Sequence, residues 1–198
     1  QGSRRRGDPS ETIRRASHSR EEIKAYLLGA LHDGTLNKNK RFRISQKGTD
    51  WLKVLQMLLK RIGYNSWIYK EGKARKVYVL ETLANFLDLR FNPAKLIPAG
   101  EKKAYIRGFF DAEGGIPRNP DDRFYVQLVQ KDKEKLKKIK KMLENLGIVA
   151  GKIHNPSKNV DPNYWRMYIP SNSQKRFVRD IFSWHPRKIT TLESRMKI

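Results

Sequence analysis

Two short runs place carboxylates where a helix should end. Residues 104–116 read A-Y-I-R-G-F-F-D-A-E-G-G-I, and a shorter copy, A-Y-L-L-G-A-L-H-D-G-T-L, occupies residues 25–36. Asp111 and Glu113 come just before Gly114 and Gly115, and Asp33 just before Gly34, where glycine stops a helix. A carboxylate at that end faces the negative pole of the helix dipole, which is mildly unfavourable. A divalent cation would offset the cost. Hard carboxylate oxygens suit Mg²⁺, which keeps several waters and takes phosphate oxygens as further ligands. An ion held this way lowers the pKa of a bound water and stabilises a leaving oxyanion. Asp33 and Glu113 are the candidate ligands, and Asp111 is a structural group beside them. Taken alone, such an acid reads first as a surface carboxylate closing its helix. His32 is either a helix-end cation or a group near the site.

What must position these acids is a pair of helices. Ala104 and Gly108 are four apart on one helical face, as are Ala25 and Gly29, so each run offers a strip where another backbone can approach closely. At this point the chain resembles the LAGLIDADG homing endonucleases, in which two such helices pack side by side with an acid at the foot of each. The second run fits that pattern closely. The first is one residue short: Gly29 to Asp33 spans four residues and Gly108 to Glu113 spans five. One residue is about 100° of helical rotation. Asp33 therefore reaches the equivalent place only if the first helix ends differently.

Composition bounds the rest. The chain has 198 residues and a formal net charge of +23, with 38% hydrophobic residues, so a basic protein with a core of its own is expected, and a polyanion is its natural partner. No apolar run approaches the roughly 18 residues that span a bilayer, and residues 1–18 carry no apolar signal core. With no cysteine there is no disulfide framework, thiolate chemistry or zinc finger. An intracellular protein is expected, cytoplasmic in a prokaryote or archaeon, or organellar. There is no Gly-x-x-x-x-Gly-Lys phosphate loop and no His-Glu-x-x-His helix.

Along the chain, residues 1–18 read as a flexible basic arm, 19–91 as a first half, 92–100 as a linker with Pro93 and Pro98, and 101–198 as a second half. Ser19 and Glu22 form a capping box for the first motif helix. Strands are expected at 34–36 and from Arg41, then a helix over 49–62 with Trp51, Leu52, Leu55, Leu58 and Leu59 as its buried stripe. Strands at 66–69 and 76–80 and a short helix over 82–89 close the half. The second half repeats the order: a strand over 123–131, a helix over 132–146, strands at 148–154 and 164–170, and a helix over 171–182. Gln46-Lys47 and Gln130-Lys131 precede Gly63 and Gly147 by the same count, and aromatic-x-Pro-x-Lys closes both halves at 91–95 and 184–188. Such a repeat marks a duplication. The expected fold is α+β: two pseudo-symmetric αββαββα halves, motif helices at the centre, and two antiparallel sheets forming a concave saddle.

A pseudo-two-fold saddle matches a long, imperfectly palindromic DNA duplex. Strands can enter the major groove, where Arg reads guanine and Gln or Asn reads adenine. The candidates are Arg41, Arg43, Lys47, Lys70, Arg75 and Lys76 in the first half, and Arg118, Arg123, Tyr125, Gln127, Lys131, Lys152, Lys158 and Arg166 in the second. Any one of them alone reads first as a phosphate contact or a solvated charge. The family resemblance implies Mg²⁺-dependent hydrolysis of both strands across the minor groove, without a covalent enzyme intermediate. It further implies two or three divalent ions at the helix feet, with Mn²⁺ or Ca²⁺ able to substitute. In the same pattern, Gln46 and Gln130 order waters near the metals, and Lys95 and Lys188 offset charge on the phosphate. A monomeric, intron-encoded or free-standing enzyme is expected. The alternatives are a maturase binding its own intron RNA and a DNA binder of the same fold that does not cut.

Overall fold

The computed structural model of the chain describes residues 18–38, 40–72, 74–119 and 121–196; the basic arm expected over 1–18 lies outside them apart from His18. Helix α1, Arg20–Ala30, begins at the Ser19–Glu22 capping box, with Ser19 Oγ accepting from Glu22 N and the Glu22 carboxylate accepting from Ser19 N, each at 3.1 Å. It then tightens into a single 3₁₀ turn, Leu31–Asp33. Its counterpart α3, Ala99–Glu113, stays α-helical to its last residue. That difference resolves the missing residue. One α residue plus three 3₁₀ residues rise about 7.5 Å and rotate about 460°, against about 7.5 Å and 500° for five α residues. Asp33 thus ends at the same height as Glu113, within about 40° of its direction, despite a shorter run.

Helices α1 and α3 make the most extensive contact between any two elements. A Cβ on Gly29 would overlap the Tyr105 carbonyl oxygen and come 2.9 Å from the Phe109 nitrogen; a Cβ on Gly108 would overlap the Tyr26 carbonyl oxygen and come 2.8 Å from the Ala30 nitrogen. Tyr26–Gly29–Ala30 and Tyr105–Gly108–Phe109 are equivalent positions of the two runs, so the contact is reciprocal, as a pseudo-two-fold axis requires. The helices run side by side in the same sense. Glu22 lies against Gly100 near their starts, and the acids lie together at their ends.

Each helix foot continues into a sheet. The first contains β1 Gly34–Leu36, β2 Phe42–Gln46, β3 Ser66–Lys70 and β4 Tyr78–Thr82, antiparallel, in the order β1-β2-β4-β3. The second contains β5 Gly114–Gly115, β6 Val126–Gln130 and β7 Trp165–Ile169, in sequence order and antiparallel. Alternation puts Ile44, Leu80, Leu128, Met167 and Ile169 on the helix side, all buried. Helix α2, Asp50–Arg61, buries the expected Trp51, Leu52, Leu55, Leu58 and Leu59 stripe, each side chain contributing about 1.5–3 kcal/mol of burial. Helix α4, Lys133–Asn145, does the same with Leu136, Ile139, Met142 and Leu143. Gly63 (φ +88°) and Gly147 (φ +72°) end these two helices in the left-handed region, as the repeat predicts.

Three elements differ from the sequence reading. No helix forms over 82–89. Thr82 is the last residue of β4, paired with Phe42 and Ser66, and its hydroxyl accepts from Ala84 N at 3.2 Å, leaving only isolated turns after it. The strand expected over 148–154 is an extended segment attached to β7 by a Gly151 N–Tyr168 O bond and a single His154–Arg166 bridge. After α5, Ser171–Asp180, the chain forms a further helix, α6 Pro186–Met196, opened by a proline that needs no N–H donor there. Among the described residues no helix is long and apolar enough to cross a membrane.

The helix crossing has no room for a methyl group. Gly108→Ala should lower stability by about 3 kcal/mol and Tm by about 10 °C, measured by thermal unfolding; an unchanged Tm would contradict the crossing described.

Candidate active site

Backbone register delivers the polar groups to the helix feet. The chain leaves Asp33 directly into β1, where Gly34 pairs with Ile44, so Gln46 comes level with His32 and Asp33. Its Nε2 donates to Asp33 Oδ2 at 2.5 Å. In the second half Gly114 pairs with Leu128, which brings Gln130 level with Ala112 and Glu113. Here the side chain turns elsewhere. Gln130 Oε1 accepts from Lys131 N (2.7 Å) and Asp132 N (3.4 Å), and Nε2 donates to His32 Nδ1 at 3.4 Å. The two glutamines are equivalent in backbone and different in chemistry.

His32 is the joint between the halves. With Nδ1 accepting from Gln130, hydrogen-bond logic puts its proton on Nε2, which donates to Tyr105 Oη at 2.7 Å. Its ring meets Phe109 edge-on at 4.8 Å. Burial, then the charge of Lys135, brings its pKa down to about 4, with Asp132 opposing. His32 is thus a neutral bridge near neutral pH rather than a helix-end cation.

The two acids are electrically coupled. Burial, then the charge of Asp33, pushes Glu113 up to about 7 against the opposing charges of Lys188, Lys131 and Lys135. Asp33 rises to about 6 through burial, against its Gln46 hydrogen bond and the charge of Lys188. Two half-buried carboxylates at the negative ends of adjacent helices form a site short of positive charge. Among the described residues there is no cluster of three or more His, Cys, Asp or Glu that could hold a metal. Asp33 and Glu113 are the residues that would hold a divalent ion, with water and phosphate as the further ligands, the habit of Mg²⁺.

Lys188 is the cation that reaches both acids. It lies in the first turn of α6, only 2% exposed. Its ammonium donates to the Phe110 and Asp111 carbonyl oxygens, the latter at 2.9 Å, and so caps α3 against its dipole. Burial brings its pKa down to about 8, with Asp111, Glu113 and Asp33 pulling upward and Arg187 downward. The aromatic-x-Pro-x-Lys signal marked Lys188, but its partner Lys95 is exposed at the end of the 3₁₀ turn Pro93–Lys95 and contributes to the field of neither acid.

Asp111 is structural, as expected. Fully buried, it accepts from Tyr26 Oη (2.7 Å), Ser183 Oγ (2.5 Å) and Trp184 N (2.8 Å), and Trp51 Nε1 donates to Tyr26 Oη at 3.0 Å. This network ties the segment before α6 to helices of both halves. Sequence reading missed Tyr26 and Tyr105, although they occupy one position of the repeated run. It also missed Lys135, which gives no local signal in so basic a helix.

Of the expected nucleic-acid contacts, Arg43 on β2 and Gln127 on β6 are equivalent positions on the sheet faces away from the helices, and Arg166 is on that face of β7. Tyr125 precedes β6, edge-on to Tyr168 at 6.1 Å. Arg41 precedes β2. Lys47 and Lys131 follow the two glutamines and are exposed; Lys70, Arg75 and Lys76 lie at the end of β3 and in the turn after it. Arg118, Arg123, Lys152 and Lys158 are exposed on the second half's connections.

Two carboxylates on paired helix feet under one lysine, each backed by a sheet, define the site type. The LAGLIDADG-like domain family matches residues 21–91 and 100–181, both repeats, and the chain belongs to this family. Solved structures show the same fold. I-DmoI in complex with DNA and Mn is 23% identical, covers 83% of this chain and 98% of its own, and superposes with a TM-score of 0.60. I-DmoI with DNA and Ca is 22% identical, covering 90% and 100%, TM-score 0.64. Full-length DUF199/WhiA from Thermatoga maritima is 21% identical, covering 96% of this chain and 66% of its own, TM-score 0.68. Among curated proteins none matches the chain.

The raised carboxyls fix a pH signature. In the folded chain Glu113 keeps its proton to about pH 7, while the unfolded chain loses it near its ordinary 4.5. The folded state then binds more protons between those values, so stability falls as pH rises through that window. In EDTA, Glu113→Gln should therefore melt several degrees above the parent at pH 8 and nearly with it at pH 4. Equal differences at both pH values would contradict the coupled site.

Proposed function

We propose that the chain is a site-specific, divalent-metal-dependent DNA endonuclease that hydrolyses both strands of a long, pseudo-palindromic duplex. The observation that carries this reading is the pair Asp33 and Glu113, one from each half, electrically coupled at the feet of the crossing helices. Each half would serve one scissile phosphodiester. A divalent ion held by the two carboxylates would supply an acidified water and charge neutralisation at the phosphate. Gln46, bonded to Asp33, is placed to orient water in the first half. Lys188 adds a fixed positive charge beneath the site, suited to the negative charge gathered during phosphoryl transfer. Water gives up a proton to solvent as it adds to phosphorus, one P–O bond breaks, and the released oxyanion takes a proton from solvent.

The +23 charge and the basic and aromatic side chains on both sheet faces support a duplex DNA partner, as do the DNA complexes of I-DmoI. Its structures with Mn and Ca support a divalent cofactor, for which Mg²⁺ is our assignment. A monomer acting through its internal two-fold fits the reciprocal helix crossing. An enzyme that is intron-encoded or free-standing completes the proposal. A second reading is a DNA binder of this fold that does not cut, which the same basic chain and sheet faces support.

A randomised duplex library incubated with the protein, with and without Mg²⁺, decides between them. The proposal predicts Mg²⁺-dependent double-strand cuts at one long site. Retention of a specific duplex without cutting would establish the binder. Glu113→Gln should abolish cleavage of at least one strand and leave site binding within a few-fold of the parent, read by strand-specific labelling; unchanged cleavage would remove Glu113 from the site. Binding should also fall by at least about a hundredfold between 50 and 200 mM salt as counterions are released. A flat response would oppose the DNA face.

A further inference from the structure

Among the described residues, the strands of the two sheets contain one carboxylate, Glu81 in β4. It belongs to the row Thr35–Arg43–Glu81–Trp67, on the face away from the helices, and is 5% exposed. A negative charge there repels a polyanion and costs desolvation. Nor does the fold require it. The matching row of the second sheet is Gly115–Gln127–Tyr168, with tyrosine in the place of Glu81. In that half Arg166 instead lies over the Tyr168 ring, 5.1 Å from its centroid, with Nε 3.3 Å from His154 Nε2.

Glu81 gathers donors. Tyr69 Oη donates to Oε1 at 2.7 Å, Arg43 Nε pairs with Oε1 at 3.1 Å, and Arg41 Nη1 donates to Oε2 at 3.3 Å. Burial alone would raise the Glu81 carboxyl, but the Tyr69 hydrogen bond and the two guanidiniums outweigh it and hold it below its ordinary value. Arg43 is fixed further by Tyr69 Oη at 3.1 Å and Glu71 at 2.8 Å, and Arg41 by the Trp67 ring at 5.1 Å. The hydrogen bonds of Arg43 engage Nη2, and Nε faces Glu81 as an ion-pair contact without a hydrogen bond, which leaves the N–H bonds of Nη1 for a base acceptor. The charges of Arg41 and Arg43 are balanced by those of Glu71 and Glu81. A free arginine loses much rotamer entropy on docking, whereas one already clamped loses little.

We propose that Glu81 is a positioning residue for base readout: it holds Arg43 and Arg41 as a rigid, charge-balanced fork over the first sheet, so that this half supplies sequence discrimination rather than general attraction for phosphates. The inference rests on the DNA-cutting reading above and adds the division of labour between the halves. The second sheet, with no strand carboxylate, supplies the looser cationic grip.

The test is a position-by-position base-preference profile on the selected target, measured by competition binding for the parent, Glu81→Gln and Tyr69→Phe. Glu81→Gln should bind an unrelated duplex several-fold more tightly and lose about tenfold of discrimination at one or two neighbouring base pairs in the half-site read by the first sheet. Tyr69→Phe should show a smaller loss at the same positions. A profile unchanged in Glu81→Gln overturns the proposal, and so does a uniform loss of affinity at every position, which would make Glu81 merely structural. If Glu81→Gln does not fold, Tyr69→Phe decides alone, and an unchanged profile there overturns it. A parent chain with no preferred duplex would instead overturn the endonuclease reading, before any variant is compared.

Discussion

The close approach of two helix backbones at Gly29 and Gly108 is the constraint on which the rest depends. Because neither position carries a side chain, the motif helices touch main chain to main chain and their C-terminal ends are forced together. That brings two dipole ends and two carboxylates into one place, a costly arrangement for the protein alone. Burial raises the proton affinity of both Asp33 and Glu113, and the charge of Asp33 adds to it at Glu113. Lys188 offsets part of the cost by capping α3, and a divalent cation bound with a phosphate would offset the remainder. Such a site trades stability for function, a common bargain at active sites.

The symmetry belongs to the backbone and stops short of the chemistry. Both halves place a glutamine level with the helix foot, yet Gln46 holds the acid of its own half while Gln130 bridges to His32 of the other. Both halves close on aromatic-x-Pro-x-Lys, yet only the second turns it into a helix that buries its lysine. The Asp111–Tyr26–Trp51 network makes that helix part of both halves, since its donors come from α1, α2 and the Ser183–Trp184 segment. Removing the hydroxyl of Tyr26 or Ser183 would leave the buried Asp111 carboxylate short of a donor, which is far more costly than losing a surface hydrogen bond.

Much of this was legible in the chain. The glycine-to-acid spacing, the repeated Gln-Lys and helix-ending glycine, and the apolar stripe of α2 are local patterns, and local patterns follow from backbone geometry. The one-residue deficit before Asp33 even called for a different helix ending, which the 3₁₀ turn supplies. What was not legible depends on distant partners. Thr82 satisfies the local signals of a helix start, but pairing with Phe42 and Ser66 keeps it in a strand. Residues 148–154 begin with the strand-forming pair Ile148-Val149, but backbone pairing with β7 is limited to Gly151 and His154. His32 read as either a helix-end cation or a group near the site, and only the fold reveals Tyr105 and Gln130 around it. Arg41 and Arg43 read as free contacts because the carboxylate that clamps them lies about forty residues away.

The central claim is that Asp33 and Glu113 together hold divalent metal at the helix feet. Crystals of the chain with its selected duplex, grown in Mn²⁺, test it directly through the anomalous signal of the metal. The account predicts a peak within bonding distance of both carboxylates and of a phosphate oxygen at the cut site, lost in the Glu113→Gln, Asp33→Asn double variant. A metal bound away from both acids, or a peak that survives the double variant, would contradict it.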